Sequence, residues 1–272
     1  MDLSIIIVSF NTRDLTLSCI ESIKKTKGSL DLEIIIVDNY SHDGSVQLLE
    51  KLVATNKSNI SLIANKTNAG FSKANNQGIS KSRGKYILLL NSDTLVKKDA
   101  LQEMVRFAET DKTIGVVGAK LLNKDGSVQA SCMNLPTIPL AIKQYWLGSG
   151  NELDKFAPKS MKPTKVDAVV GAAMLITPQA LESAGKLNEK YFFYFEDLDY
   201  CRLVRKKGLK VFYLPKAQII HYHGASTKDK KNDPDAWRKL IPGSKIYHGT
   251  LIHYVFNFII WSGTKWKNSK NT

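Results

Sequence analysis

Three acids stand within four positions, Glu196, Asp197 and Asp199, directly after five consecutive aromatics at 191–195. Carboxyls crowded beside apolar rings are pushed to higher pKa by desolvation and like-charge repulsion. That suits one of Glu196 or Asp197 to general-base work. The plainer reading is a core strand followed by acids that stabilise a helix N-terminus; Asp199 fits that role, with Arg202 or Arg205 as its partner. A second group, Asn91-Ser92-Asp93, closes the apolar run that begins at Tyr86. A carboxylate at the end of a buried strand can hold Mg²⁺ or Mn²⁺ through hard oxygen. The third is the stretch 219–226, with His221 and His223. Histidines at i and i+2 on a strand point to opposite faces, so both do not reach one ion, and the residues leave open which one joins Asp93.

These groups need elements to position them. Residues 4–10, 33–38, 60–65 and 86–91 are short, nearly continuous Ile- and Val-rich runs. Strands buried on both faces of a parallel sheet have this pattern. Between them, 12–25 and 45–52 place apolar residues on one helical face. Strand–helix alternation predicts a Rossmann-like, doubly wound, mostly parallel α/β sheet. Ligands bind such sheets outside the carboxyl ends of the strands. Here those ends carry Ser9, Phe10 and Asn11, then Asp38 and Asn39, then Asn65, Asn68 and Gly70, then Asn91, Ser92 and Asp93. Any one of these could be a turn or cap residue, as Asn11 and Ser41 are by themselves; together they predict a shared crevice. Further on, 115–122 and 166–177 have strand character, and a helix is expected from Glu196 to Lys207 with Gly208 as its C-cap. A strand at 211–214, a stop at Pro215 and a short strand at 217–221 follow.

Composition narrows the options. Among 272 residues, 43% are hydrophobic and 24% charged, as in a globular chain. The three cysteines are odd in number and none lies in a CxxC, so neither a disulfide scaffold nor a zinc site is expected. There is no GxGxxG after the first strand and no GxxxxGK[ST], which argues against dinucleotide and P-loop enzymes. A diphosphate held without a glycine loop calls for a cation. Asp2 stands where a signal peptide would have a basic region, and no run of 18 apolar residues exists, so a cytoplasmic chain without a spanning helix is expected. The formal charge is +14, of which residues 226–272, with nine basic and three acidic side chains, supply +6. Within this tail, Leu251, Tyr254, Val255, Phe258 and Ile259 can share a helix face flanked by Lys245, Lys265 and Lys267. Such a helix either lies on an anionic membrane surface or closes the domain's own core.

Taken in order, the pieces resemble family-2 glycosyltransferases, inverting nucleotide-sugar enzymes of the GT-A fold. The matching segments are SIIIVSFN (4–11), VDN (37–39), NAGFSKANNQG (68–78), YILLLNSD (86–93), VVGAAMLI (169–176), FFYFEDLDYCRLVRKKG (192–208) and HYHGAS (221–226). The resemblance is strongest to bacterial enzymes that add rhamnose and similar sugars to cell-surface polysaccharides. It implies one GT-A domain over 1–226, with a nucleotide-binding half (1–115), an acceptor-side half (116–226) and a basic aromatic helical tail (227–272). It also implies a dTDP- or UDP-sugar donor and a saccharide acceptor, lipid-linked, met at the cytoplasmic face of a membrane. Phe10 would lie against the base and Asp38 would accept its N3–H, with Ser9, Asn11, Asn68, Gly70, Asn91 and Ser92 around the donor. Asp93 and His221 would hold the metal, Asp197 would be the base, Glu196 would help orient the acceptor, and Gly171–Ala173 would form the backbone floor beneath the sugar and acceptor. Asn91 replaces the first acid of a full DxD. Nucleic acid is not an expected partner. The rival readings are a sugar nucleotidyltransferase, which would want a glycine-rich basic loop after the first strand, and a non-catalytic nucleotide- or nucleic-acid-binding protein of similar fold.

Overall fold

The computed structural model describes residues 1–56, 59–148, 150–222, 238 and 240–270. Strands β1 (Leu3–Ser9), β2 (Leu32–Asp38), β3 (Ile60–Ala64) and β4 (Tyr86–Asn91) are parallel in the order β3-β2-β1-β4. The crossovers are helices α1 (Arg13–Thr26), α2 (Ser45–Thr55) and α3 (Phe71–Lys81). Leu3, Ile5 and Ile7 of β1 join the core that holds Cys19, Ile20 and Ile23 of α1, whereas Ile6 joins the opposite core with Ile79 of α3. Successive side chains are therefore buried on opposite faces, which is why these strands have unbroken apolar sequence. The packing leaves no slack: a Cβ on Gly78 of α3 would lie 2.5 Å from Ile6 Cγ2.

Past β4 the sheet changes character. After β5 (Thr94–Val96) and α4 (Ala100–Glu109), β6 (Ile114–Leu122) pairs with β10 (Ala173–Ile176) on one side and with β11 (Lys210–His221) on the other. β10 runs antiparallel to both β4 and β6, while β6 and β11 are parallel, and β5 closes the edge antiparallel to β11. The expected parallel order thus holds for β1–β4, and the second half is mixed. A small second sheet pairs β7 (Cys132–Met133) with β9 (Ala168–Val169). The segment 166–177 is not one strand: β8 (Thr164–Val166), β9 and β10 are separated at Asp167 and at 170–172. The break lets the Gly171 N–H leave the sheet.

Pro215 does not end a strand. β11 continues through it, and the register jumps from Leu214 opposite Ala119 to Gln218 opposite Lys120. Proline lacks the ladder donor, and a bulge is where a strand tolerates it. Nor do the aromatics at 191–195 form a core strand. Tyr191 is buried, but Phe192 and Phe193 are exposed, and Tyr194 and Phe195 are left-handed with φ of 71° and 72°. The turn ends in α7 (Glu196–Lys206), which stops at Gly208, φ 82°, as expected. Helices α5 (Ile138–Tyr145), α6 (Pro178–Ala184), α8 (Leu240–His248) and α9 (Thr250–Lys270) complete the described chain. Cys19, Cys132 and Cys201 are buried and unpaired.

Candidate active site

The carboxyl ends of β4 and β11 and the N-terminus of β10 meet at one edge of the sheet, because β10 runs the other way. The Asn91 N–H donates to the Ala172 carbonyl there (3.0 Å), and the Tyr222 N–H donates to the Asp93 carbonyl (2.9 Å). The resulting cleft, about 180 Å³, is lined by Asn91, Asp93 and His221 on one side and by Gly171, Glu196 and Asp197 on the other. Residues a hundred positions apart are thus gathered by strand order alone.

On the strand side, Asp93 Oδ1 lies 3.4 Å from His221 Nε2. His221 Nδ1 is 2.7 Å from Gln129 Oε1, while the Gln129 amide nitrogen donates to Asn123 Oδ1 (2.9 Å). Gln129 therefore accepts from Nδ1–H, which fixes the ring and turns Nε2 toward Asp93. Asn91 Oδ1 is buried without a hydrogen-bond partner among the described residues. The Asn91 amide nitrogen lies 3.4 Å from His221 Nε2; with the amide turned to present its oxygen, this carboxylate, imidazole and amide together fit a hard divalent cation. Among the described residues there is no group of three His, Cys, Asp or Glu that could hold a metal by itself. Such a site relies on ligands brought by a substrate, as phosphate oxygens do for Mg²⁺. His223 lies outside the described residues.

On the helix side, the Gly171 N–H donates to Asp197 Oδ2 (2.9 Å), and the Leu198 N–H donates to Oδ1 (2.7 Å). Asp197 is thereby held in one orientation at the start of α7. Glu196 is buried, with Oε2 unpartnered. Burial first, and then the neighbouring Asp197 charge, pushes its carboxyl up to about 8, so it holds its proton far more tightly than an ordinary carboxyl. The left-handed pair Tyr194–Phe195 sets the entry angle of α7, and backbone strain of this kind persists only where packing over-determines it. Asp199 does pair with Arg202, and Arg205 pairs instead with Asp167 (2.6 Å).

The other strand ends are used differently. Ser9 and Ser92 lie in a buried hydroxyl cluster with Thr12 and Thr16, and neither lines the cleft. Asn11, left-handed at φ 52°, accepts from the His42 N–H and braces the 41–42 loop. Asn68 Oδ1 accepts from Asn39 Nδ2 (2.8 Å) and from the Gly70 N–H (3.0 Å). Gly70, at φ 84°, has no room for a side chain: a Cβ would lie 2.7 Å from the Phe192 carbonyl oxygen. This loop clamps the aromatic segment, with the Phe71 N–H donating to that same carbonyl (2.7 Å). Asp38 is fully buried; Oδ1 accepts from the Ser41 N–H, and Oδ2 has no partner. It does not line the cleft. With β1 between β2 and β4, it stands two strand spacings from Asn91, roughly 10 Å. Phe10 follows β1, half-buried. Sequence reasoning missed Gln129, Lys155 and Phe71 as cleft residues. Phe71 lies within the 68–78 segment, whose pattern points to Asn68 and Gly70 in its place; Gln129 and Lys155 lie in no recognisable pattern, and only the fold brings them in.

A nine-stranded mixed sheet with this acid-bearing rim has the GT-A glycosyltransferase fold. The crystal structure of GalNAc-T7 with UDP, GalNAc and Mn²⁺ matches 82% of this chain and 44% of that chain with a TM-score of 0.64, at 16% identity. The chain belongs to glycosyl transferase family 2, whose model matches residues 4–183. It is 27% identical over 225 residues to an uncharacterized protein of Sinorhizobium fredii, covering 82% of this chain and 24% of that one. It is 23% identical over 217 residues to the N-acetylglucosaminyl-diphospho-decaprenol L-rhamnosyltransferase of Mycobacterium tuberculosis, covering 72% of this chain and 68% of the relative. The chain thus spans about a quarter of the first relative's length and about two thirds of the second's.

Proposed function

We propose that the chain transfers a sugar, with inversion, from a dTDP- or UDP-linked donor to a hydroxyl of a lipid-linked saccharide acceptor in surface polysaccharide synthesis. The observation that carries this reading is the Asp197 carboxylate, fixed by the Gly171 N–H and facing Asp93 and His221 across one cleft.

The base end of the donor goes to Phe10 and Asp38, whose buried, unpartnered Oδ2 is an acceptor waiting for an N–H. A roughly 10 Å separation from Asn91 suits a nucleoside whose phosphates reach the β4 end. There Asn91, Asp93 and His221 would hold Mg²⁺ or Mn²⁺, which supplies charge neutralisation for a departing diphosphate. Asp197 removes the proton from the acceptor hydroxyl as that oxygen attacks the anomeric carbon from the side opposite the diphosphate. Because Asp197 does not swing, the proton-accepting oxygen is in place before the acceptor arrives. Glu196, whose carboxyl pKa is raised by burial and by Asp197, would in its protonated form donate to an acceptor oxygen. The Mn²⁺ in the GalNAc-T7 structure and the decaprenol in the mycobacterial relative's name support the cation and the lipid carrier. Exposed Phe192 and Phe193 offer apolar surface at the rim.

A thermal-shift panel of nucleotide-sugars with and without Mn²⁺ tests the reading, since a ligand that binds the native state raises the melting temperature by mass action. A dTDP- or UDP-sugar is expected to raise it only when Mn²⁺ is present, and Asp93→Ala should abolish that dependence. No shift with any donor would sink the proposal.

A further inference from the structure

Helix α9 has two unlike faces. His253, Phe256 and Gly263 are buried. A Cβ on Gly263 would lie 2.8 Å from the Tyr145 carbonyl carbon of α5, and His253 bonds Ser244 of α8 (2.8 Å). The tail therefore closes against the domain, one of the two outcomes the sequence left open. Among the described residues nothing covers the opposite face. Leu251, Tyr254, Phe258 and Trp261, spaced three or four apart, form a single stripe, and each is between 56% and 78% exposed. At the other end of α9, Trp146 stacks on Trp266 (6.2 Å, 21°), and the neighbouring Leu147 is 72% exposed.

The surroundings of the stripe are cationic. Lys245 Nζ lies 5.2 Å from the Tyr254 ring centre, and Lys265 Nζ lies 4.7 Å from that of Trp261. Beside the first turn of α9, where Ile252 forms part of the wall, opens a groove of about 650 Å³. Lys165, Arg202, Arg205, Lys206 and Lys210 line it, with no carboxylate among the lining residues. Arg202, Arg205 and Lys210 are engaged with Asp199, Asp167 and Asp111, whereas Lys165 and Lys206 are exposed and form no salt bridge among the described residues. Two copies meeting through this face would bring lysine against lysine on chains that each carry +14. A surface with apolar depth and negative headgroups complements both features. No described helix is long and apolar enough to cross a membrane.

We propose that α9 lies in the plane of an anionic phospholipid surface, with the Leu251–Tyr254–Phe258–Trp261 stripe at the headgroup–acyl boundary and lipid phosphates at Lys165 and Lys206. Docking also orients the cleft. A Cβ on Gly243 of α8 would lie 2.9 Å from Phe195 Cδ2, so the lipid-facing tail buttresses the turn that carries Glu196 and Asp197.

The test is flotation of the full chain, without donor or acceptor, on vesicles of phosphatidylcholine alone or mixed with phosphatidylglycerol. Its outcome is therefore independent of the catalytic reading. The wild type is expected to float with the mixed vesicles, and less as salt rises. Phe258→Ser/Trp261→Ser should lower partitioning roughly tenfold or more, and Lys165→Glu/Lys206→Glu should remove most of the preference for anionic lipid, again roughly tenfold. All four side chains are exposed, so unchanged melting temperatures should accompany both losses. Tryptophan emission of the wild type should be quenched by brominated acyl chains, a readout that needs no variant. Equal partitioning of wild type and Phe258→Ser/Trp261→Ser, or no quenching, would overturn the proposal. So would a wild-type dimer that this double variant makes monomeric, since the stripe would then belong to a second copy.

Discussion

The rim formed by β1–β3 and the rim formed by β4, β10 and β11 both gather buried polar side chains, yet they differ in how those side chains are satisfied. At the first, Asn39 is the hub of a closed network: it donates to Asn68 and the Gly70 carbonyl and accepts from Asn65 and the Ala69 N–H. The hydroxyls of Ser9, Thr12 and Thr16, joined by that of Ser92 from the end of β4, likewise spend their bonding capacity on one another. At the second, Asn91 Oδ1 and Glu196 Oε2 are buried and unpartnered. A buried polar atom left unmatched costs stability, so its persistence marks a place shaped for something besides folding. Asp38 is the exception on the closed rim, with one oxygen used and one orphaned, and it is the residue assigned to the nucleoside base.

The largest expected effect falls on the open rim. Asp197→Asn should lower turnover by ~10²–10⁴ while leaving the donor-induced rise in melting temperature intact; wild-type turnover would remove Asp197 from the chemistry. Next, Gln129→Leu deprives His221 of the group that holds its ring, and the Mn²⁺ concentration for half-maximal activity should rise roughly 10–100-fold. If that concentration stays put, His221 is not a ligand. Glu196→Gln isolates the buried carboxyl. Between the ordinary value of 4.5 and about 8, the unfolded chain sheds this proton while the folded chain keeps it. Each step up in pH therefore favours unfolding: the benefit is whole below pH 4.5 and gone above 8. Urea midpoints of the wild type should fall between pH 5 and pH 8.5, and Glu196→Gln should flatten that slope. The smallest effect on chemistry belongs to the closed rim. Asn39→Ala should cost about 1–3 kcal/mol in urea unfolding with the Mn²⁺ response unchanged, and an altered response would dissolve the distinction between the rims.

The four parallel strands were legible because burial on both faces leaves continuous apolar runs, and their ends could be counted off as polar residues. The Glu196-Asp197 pair was legible because carboxyls beside five aromatics are conspicuous. What escaped depends on contacts distant in sequence. Antiparallel β10 has the same apolar composition as a parallel strand, and direction leaves no trace in Ala173–Ile176. Pro215 signals a strand end locally, yet pairing with β6 on both sides of it carries β11 across the bulge. The aromatics at 191–195 suggested a buried strand, whereas clamping by Gly70 and Phe71 turns two of them outward. Gln129 matters only because the Lys120–Leu122 end of β6 lies against β11, which brings the following loop to His221.

The left-handed turn at Tyr194 and Phe195 carries a consequence for engineering. Glycine at 194 would relieve a conformational cost of order 1–3 kcal/mol, so a library selected for heat resistance alone should drift toward it. We expect the winners to melt later and turn over more slowly, because the turn they relax leads into α7, which carries the proposed base Asp197.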